Sequence, residues 1–262
     1  MPTTLQPSIS RPPLTLLSAE PWRAAMEFVS FQLNSFKQAV AGDSLSGHAA
    51  NVGNAGDGHP VIIFPGLGND GSVVVPLRNH CEALGYQAVD WGWGYNTGPK
   101  GDLDAWMGEL ALHIEGLLKR YDQPATLIGW SLGGIYAREV AKTLASRVRQ
   151  VITIGTPFNA DADYTNIGWM YRLLSGASAD IAPVLSKRLR TPPPLPTTSI
   201  YSRSDGLVAW QTCVHAAASK DVQDIEVQGS HIGMGWNADV LNIVTDRLRQ
   251  QPSHWQPYAM EV

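Results

Sequence analysis

The chain has 262 residues, of which 44% are hydrophobic and 16% are charged, and its formal net charge is −4. These proportions predict a globular protein with a sizeable core and exclude a disordered one. The weakly acidic balance excludes a broad basic surface, so we expect no nucleic-acid partner and no attraction to anionic membranes.

Residues 1–20 are rich in Pro, Ser and Thr, which predicts a flexible tail. This tail lacks the basic start and apolar run of a secretory signal, which predicts a cytoplasmic protein. Residues 21–58 follow as one helix and a glycine-rich loop. The helix carries an apolar stripe with spacings of three and four: Trp22, Met26, Val29, Leu33, Phe36 and Val40. The simplest interpretation packs this stripe on the main domain; a dimer contact or a lipid-surface helix stays open.

From residue 59 onward, short apolar runs alternate with helical patterns, which is typical of a mostly parallel sheet with helices on both faces. Six strands are predicted, at Val61–Phe64, Gln87–Trp91, Ala125–Trp130, Gln150–Gly155, Thr197–Tyr201 and Asp221–Val227. The predicted helices are Pro76–Leu84, Asp102–Tyr121, Leu132–Ala145 and Ala238–Arg249. The predicted core domain therefore comprises residues 59–157 and 197–262.

Residues 158–196 interrupt this alternation. The segment begins with polar residues, continues with one or two short amphipathic helical patterns, and ends in TPPPLP, which favours an extended return to the sheet. Because it is inserted where the carboxyl ends of strands gather, we predict a small helical cap. An ordinary crossover helix with long connections is the alternative.

The strongest chemical motif is Gly-Trp-Ser-Leu-Gly at residues 129–133. A buried-strand pattern precedes it and a helical pattern follows it, so Ser131 lies at a sharp strand-to-helix turn. Side chains beside such a turn would strike neighbouring backbone, and Gly129, Gly133 and Gly134 leave the necessary room. The turn lifts the hydroxyl above the sheet edge at a helix N-terminus, which favours a role as nucleophile.

A serine nucleophile needs a base to take its proton, and the base needs a carboxylate to orient it. Among the seven histidines, His231 follows the last predicted strand, so its loop returns it to the sheet edge that carries Ser131. Asp205 lies in a turn just past the strand TTSIYS and is predicted to orient the imidazole. Asp180, in the predicted cap, is the first alternative for this carboxylate, and Asp90 is a weaker one.

Two backbone N–H groups are predicted to stabilise negative charge on the substrate oxygen. One belongs to Leu132, directly after the nucleophile, and the other to Leu67 in the turn Pro-Gly-Leu-Gly after the first core strand. Aromatic and apolar side chains near the site predict a pocket for an apolar substrate group: Trp91, Trp93, Tyr95, Trp130, Trp169 and Met170. Ordinary packing in the core or the cap is the alternative for each of them.

Cysteine and apolar content bear on cofactors and membranes. Cys81 and Cys213 lie far apart, which favours free thiols, and no Cys/His spacing is typical of a metal site. No run of about 18 apolar residues is present, so we expect no integral membrane association. The oligomeric state is left open.

With these motifs in order, the chain resembles the α/β-hydrolase superfamily, and within it the bacterial esterase and lipase-like members. The resemblance covers roughly Pro60 to Leu248 and rests on the Pro-Gly-Leu-Gly and Gly-Trp-Ser-Leu-Gly motifs together with DWGWGYNTGP, ITIGTPF, YSRSDG and GSHIGMGWN. It implies an α/β-hydrolase fold with about six core strands and a catalytic order of Ser131, Asp205 and His231. Many relatives carry His-Gly in the oxyanion loop, where this chain has Pro65-Gly66.

The resemblance also implies a function, the hydrolysis of carboxylic esters through an acyl-enzyme without a cofactor, with a small apolar ester as substrate. An acyltransferase is the first alternative, because it would use the same three residues while excluding water. A non-catalytic binding protein on a hydrolase scaffold is the second.

Overall fold

The computed structural model describes residues 10–40, 56–159, 183–217, 219–251 and 254–259. These residues contain six strands: β1 (Pro60–Phe64), β2 (Gln87–Asp90), β3 (Ala125–Trp130), β4 (Val148–Ile154), β5 (Thr197–Tyr201) and β6 (Val222–Glu226). They form one sheet in the order β2-β1-β3-β4-β5-β6, and every neighbouring pair is parallel. The predicted α/β-hydrolase fold with six core strands is confirmed.

The same part of the chain contains six α-helices: α1 (Leu14–Val40), α2 (Val75–Ala83), α3 (Leu103–Leu118), α4 (Leu132–Thr143), α5 (Pro183–Arg190) and α6 (Ala238–Arg249). Apolar residues of α3 and α4 form one buried cluster with the sheet, and those of α2 and α6 form another. The predicted start of α3 is confirmed, because the Asp102 side chain accepts a hydrogen bond of 2.9 Å from the Ala105 N–H.

The sheet positions the candidate residues through its topology. Because all six strands are parallel, their carboxyl ends meet at one edge, and the loops after β1, β3, β5 and β6 all begin there. The connection from β1 leads to β2 on one side, whereas β3 leads to β4 on the other. Such a reversal of direction opens a crevice between neighbouring loops, and this is where parallel α/β sheets bind ligands.

The N-terminal helix α1 corrects two predictions. It begins at Leu14, inside the segment predicted as a tail, and Pro21 lies within it. Its apolar stripe does not face the main domain, because the side chains of Trp22, Met26, Val29 and Leu33 are 50% to 70% exposed. The opposite, charged face makes the contacts with the core described below. Apolar spacing identifies a helix, but it does not reveal that buried N–H groups elsewhere will recruit the polar face.

The predicted cap is described only in part. Residues 160–182, which include Asp180, Trp169 and Met170, lie outside the described residues, so the cap remains a prediction. Helix α5 follows and packs on the core, since Leu189 is buried and the Arg188 Nε donates to Glu139 of α4 at 2.5 Å.

Two further sequence expectations concern thiols and membranes. Cys81 and Cys213 are both buried and unbridged, which confirms the prediction of free thiols. Within the described ranges, no helix has the length and apolar character needed to cross a bilayer.

Candidate active site

Ser131 occupies the turn between β3 and α4 in a backbone conformation that side chains rarely adopt. Its φ is +54° and its ψ is −124°, and it is the sole non-glycine residue with positive φ in the described part of the chain. Such conformations cost on the order of 1–3 kcal/mol and persist only where the surroundings impose them. Here the sheet imposes it, since the Ser131 N–H donates to the Ile154 carbonyl at the end of β4 over 2.8 Å.

The three glycines beside the serine are required by close contacts. A Cβ on Gly129 would meet the backbone of Gly134, and one on Gly133 would meet the Phe64 carbonyl, each closer than 3.0 Å. A Cβ on Gly134 would strike the side chain of Thr156. The turn can therefore form around Ser131 only because Gly129, Gly133 and Gly134 carry no side chains.

The loop after β1 lies beside Ser131. A Cβ on Gly66 would lie 3.3 Å from the Ser131 Cβ, so this loop and the nucleophile turn are in contact. Leu67 follows Gly66 in the loop, and Leu132 opens α4, where first-turn N–H groups have no partner within the helix. The loop that carries Leu67 and the helix end that carries Leu132 thus both adjoin Ser131, and the role of the two N–H groups as oxyanion donors stays a prediction.

Asn96 braces this loop, and sequence reasoning missed it. The buried Asn96 side chain donates to the Pro65 carbonyl at 2.9 Å, its N–H donates to the Asn69 carbonyl at 2.7 Å, and its own carbonyl accepts the Gly68 N–H at 2.8 Å. A single asparagine within GWGYNTGP indicates only a turn, so the sequence carries no signal for this brace.

His231 and Asp205 are joined by a buried hydrogen bond. The His231 Nδ1 lies 2.6 Å from the Asp205 Oδ2, and each residue is only 4% exposed. The other carboxylate oxygen accepts the N–H groups of Leu207 at 2.8 Å and Val208 at 2.7 Å. Asp205 is therefore fixed by its own turn and presents one oxygen to the imidazole.

The imidazole lies at the same sheet edge as the serine. A Cβ on Gly155 would lie 3.1 Å from two atoms of the His231 ring, so the ring rests against the backbone just after β4. The preceding residue, Ile154, accepts the Ser131 N–H. The end of β4 thus contacts both the nucleophile turn and the imidazole, as their positions after β3 and β6 predict. Of the alternative acids, Asp90 lies at the end of β2, where it accepts the Gly92 N–H at 2.7 Å.

Helix α1 contacts both loops of the histidine–aspartate pair. The Glu20 Oε1 accepts the His231 N–H at 3.1 Å and the Gly206 N–H at 2.6 Å. Arg23 donates to the Ser204 hydroxyl at 3.0 Å, and Glu27 accepts the Ser230 N–H at 2.9 Å. Sequence reasoning missed this contact, although the spacing of three and four between Glu20, Arg23 and Glu27 marks a charged face opposite the apolar stripe.

These surroundings change the basicity of the imidazole. Burial opposes the charged form of His231, but the charge and hydrogen bond of Asp205, together with the charge of Glu20, outweigh it. The pKa of His231 is therefore raised above its ordinary value of 6.5. A raised pKa strengthens the imidazole as a proton acceptor.

Four of the predicted pocket residues lie within the described chain. Trp91 is buried and stacks on Tyr136, and the buried Trp130 donates its indole N–H to the His231 carbonyl at 3.2 Å. The rings of Trp91 and Trp130 lie within the two core clusters, which favours the packing alternative for both, and their pocket role stays a prediction. Trp93 is half-buried and Tyr95 is exposed, so a pocket role for these two stays a prediction.

Comparisons with known proteins agree with the architecture. A family model described as the alpha/beta hydrolase family matches residues 61–258. The pimeloyl-[acyl-carrier protein] methyl ester esterase of Shewanella woodyi is 28% identical over 142 residues, which are 53% of this chain and 53% of that protein. The chain thus spans about half the length of this curated relative.

Solved structures share the fold at low identity. Lipase B of Aspergillus fumigatus matches with a TM-score of 0.58 and 16% identity, over 77% of this chain and 56% of that one. The lipase BlEst2 of Bacillus licheniformis matches with a TM-score of 0.55 and 17% identity, over 73% of this chain and 92% of that one. With a six-stranded parallel sheet and a family model that covers most of its length, the chain belongs to the alpha/beta hydrolase family.

Proposed function

We propose that the protein hydrolyses carboxylic esters through an acyl-enzyme on Ser131, with His231 as general base and Asp205 as the orienting carboxylate. The observation that carries the proposal is the buried 2.6 Å bond between His231 and Asp205, at the sheet edge where the strained Ser131 turn lies. The esterase and lipase names of the similar proteins favour ester hydrolysis over other hydrolase chemistry.

In the proposed reaction, the Ser131 Oγ attacks the ester carbonyl carbon and its proton passes to the His231 Nε2. The Nδ1 of that ring is engaged with Asp205, which leaves Nε2 as the basic nitrogen. The carbonyl π electrons move to oxygen, and the N–H groups of Leu67 and Leu132 stabilise this oxyanion. Loss of one such donor typically costs about 3–4 kcal/mol of barrier.

The intermediate then collapses. The bond to the alcohol oxygen breaks, the acyl group stays on Ser131, and the leaving alcohol takes the proton from His231. Water repeats the sequence with His231 again as base, which releases the acid and restores the serine. Glu20 and Asp205 favour this cycle, because two carboxylates stabilise the imidazolium that forms at each step.

The substrate is proposed to be a small ester with an apolar acyl or alcohol group beside Trp93 and Tyr95. The related esterase is named for a methyl ester of an acyl group carried by a protein. A panel of methyl and p-nitrophenyl esters with increasing acyl length therefore tests which part of the substrate the site recognises.

The test of the proposal is removal of the nucleophile. Ser131→Ala should abolish hydrolysis of p-nitrophenyl esters and labelling by a fluorophosphonate probe, because the variant lacks the hydroxyl that forms the proposed acyl-enzyme. An active Ser131→Ala variant would refute the mechanism, and a folded wild-type protein that the probe does not label would favour a binding protein. If added alcohol captures most of the acyl group, the enzyme is an acyltransferase instead.

A matched pair of variants tests the carboxylate. Asp205→Asn should lower kcat by about 10³- to 10⁴-fold, because the amide favours the wrong imidazole tautomer. Asp224→Asn is the control, since Asp224 bonds His215 at the same 2.6 Å away from the proposed nucleophile. Equal losses in the two variants would contradict the assignment of Asp205.

A further inference from the structure

Three aspartate–histidine pairs occur in the described residues, and all three have short contacts at Nδ1. The distances are 2.6 Å for His231–Asp205, 2.6 Å for His215–Asp224 and 2.5 Å for His59–Asp57. The pairs differ in the third charged group beside them. The Arg138 Nη1 lies 2.9 Å from the His215 Nε2, and Arg149 binds Asp57 at 2.8 Å, whereas the third group at His231 is the carboxylate of Glu20.

The charge of this third group adds to the pKa direction of each histidine, after the larger influence of burial. Burial is the largest influence on His59 and His215, and with the nearby guanidinium groups it lowers the pKa of both. Burial also opposes the charged form of His231, yet the two carboxylates beside it leave its pKa raised. Of the three histidine–aspartate pairs in the described part of the chain, the one whose histidine pKa is raised is also the one beside a second carboxylate.

Glu20 is buried in a way that its own contacts do not fully repay. It is 2% exposed, and within the described residues it forms no ion pair and its Oε2 has no hydrogen-bond partner. Its Oε1 serves two backbone N–H groups, those of His231 and Gly206. Burying a carboxylate away from a cation is costly, so its retention asks for a compensating positive group. The imidazolium of His231 is such a group during the proposed reaction.

The approach of the helix to the acid turn is equally close. A Cβ on Gly206 would lie within 3.0 Å of the Leu16 backbone and of the Glu20 side chain. Gly206 directly follows Asp205, so the contact fixes the turn that holds the orienting carboxylate. The same Glu20 oxygen therefore links the turn of the acid to the loop of the base.

We propose that Glu20 is a positioning residue of the active site, which ties the Asp205 turn to the His231 loop and stabilises the protonated imidazole by its charge. The inference rests on the proposed ester hydrolysis. Glu20 acts through His231 and Asp205 and needs no contact with the substrate.

The charged groups that surround His231 make a specific test possible. Asp205 faces it from the loop after β5, and Glu20 faces it from α1. Arg23 and Glu27 of α1 bond to neighbouring residues of the two loops instead of to the pair itself. At the end of β4 the ring lies against the uncharged backbone of Gly155. Glu27 thus provides a matched control, an acid on the same helix that binds the same loop.

The experiment compares Glu20→Gln with Glu27→Gln in the 262-residue chain. The glutamine at position 20 keeps an acceptor oxygen but removes the charge. We expect kcat to fall about tenfold with KM within about twofold, and the acid limb of the kcat/KM profile to move about one pH unit lower. NMR titration of the His231 ring should show the same decrease of its pKa. In Glu27→Gln, the midpoint of the acid limb and the midpoint of the NMR titration should both stay at the wild-type value.

Each other outcome overturns the inference. Wild-type kcat and an unmoved acid limb in Glu20→Gln would show that Glu20 does not act on His231. Lower activity with a lower melting temperature but an unmoved His231 pKa would reduce Glu20 to a structural contact. The NMR titration needs no turnover, so it separates this inference from the proposed function. That function fails instead if wild type and Glu27→Gln both lack ester hydrolysis and probe labelling.

Discussion

The strained backbone at Ser131 makes a stability prediction with an unusual sign. At most positions glycine is less stabilising than alanine, but at φ +54° and ψ −124° the alanine Cβ retains the clash that glycine removes. We therefore expect Ser131→Gly to be more stable than Ser131→Ala. Comparing these two variants cancels the loss of the hydroxyl, which both of them lack.

The magnitude follows from three contributions. The ψ lies outside the left-handed helical region, so the strain relieved by glycine falls in the upper part of the range of about 1–3 kcal/mol. Glycine gives back about 0.4–1 kcal/mol through the entropy of the unfolded chain. Loss of the buried methyl group costs about 0.8 kcal/mol. The difference is about 1 kcal/mol in favour of glycine, or roughly 2–4 °C in Tm for a protein of this size.

Reversible denaturant unfolding and thermal melting, both followed by circular dichroism, measure this difference. Ser18 supplies the control, because it is an exposed residue of α1 with helical geometry, where Ser18→Gly should be less stable than Ser18→Ala by about 1 kcal/mol. If Ser131→Gly is equal to or less stable than Ser131→Ala, the turn is not strained and the argument for an imposed nucleophile geometry fails.

Two further predictions concern packing and pH. Gly134→Ala should lower the free energy of unfolding by about 1–3 kcal/mol, because the new methyl group would strike the side chain of Thr156; an unchanged urea midpoint would contradict this close contact. The melting temperature should fall from pH 7 to pH 5, because burial lowers the folded-state pKa of His59, His80 and His215 below 6.5, so the unfolded chain takes up protons that the folded chain resists. The raised pKa of His231 has the opposite effect, because it adds stability below pH 6.5 that is lost as the pH rises through the folded-state pKa of His231. A flat or rising melting temperature on acidification would show that this effect outweighs that of the other three histidines.

The sequence predicts the sheet and the candidate residues well because their signals are local. Ala125–Trp130 is a run of apolar and β-branched residues and glycine, Thr197–Tyr201 is rich in β-branched residues, and the structure places both strands at the predicted bounds. The order of the motifs then assigns Ser131, Asp205 and His231 to loops at one sheet edge. Parallel topology brings such loops together, so no long-range information is needed for that step.

The features that the sequence did not reveal depend on contacts between distant segments. The bonds of Glu20 to His231 and Gly206 join residues about two hundred positions apart, so the spacing along α1 shows a charged face but not the partners of that face. The surroundings of Trp91 and Trp130 also depend on distant segments. A tryptophan at a strand end has the same sequence pattern whether its ring contacts substrate or packs in the core. The bracing role of Asn96 becomes visible only when the structure shows its three partners in the loop after β1.

The position of α1 outside the matched family region has a practical consequence for expression. A version of the protein trimmed to residues 61–258 would keep Ser131, Asp205 and His231, and it would lose the exposed apolar side chains of α1. It would also lose Glu20, whose carboxylate accepts the backbone N–H of His231. Poor turnover by such a shortened protein would therefore not show that the wrong substrate was chosen. Proteins prepared for activity screens should include α1 from Leu14 onward.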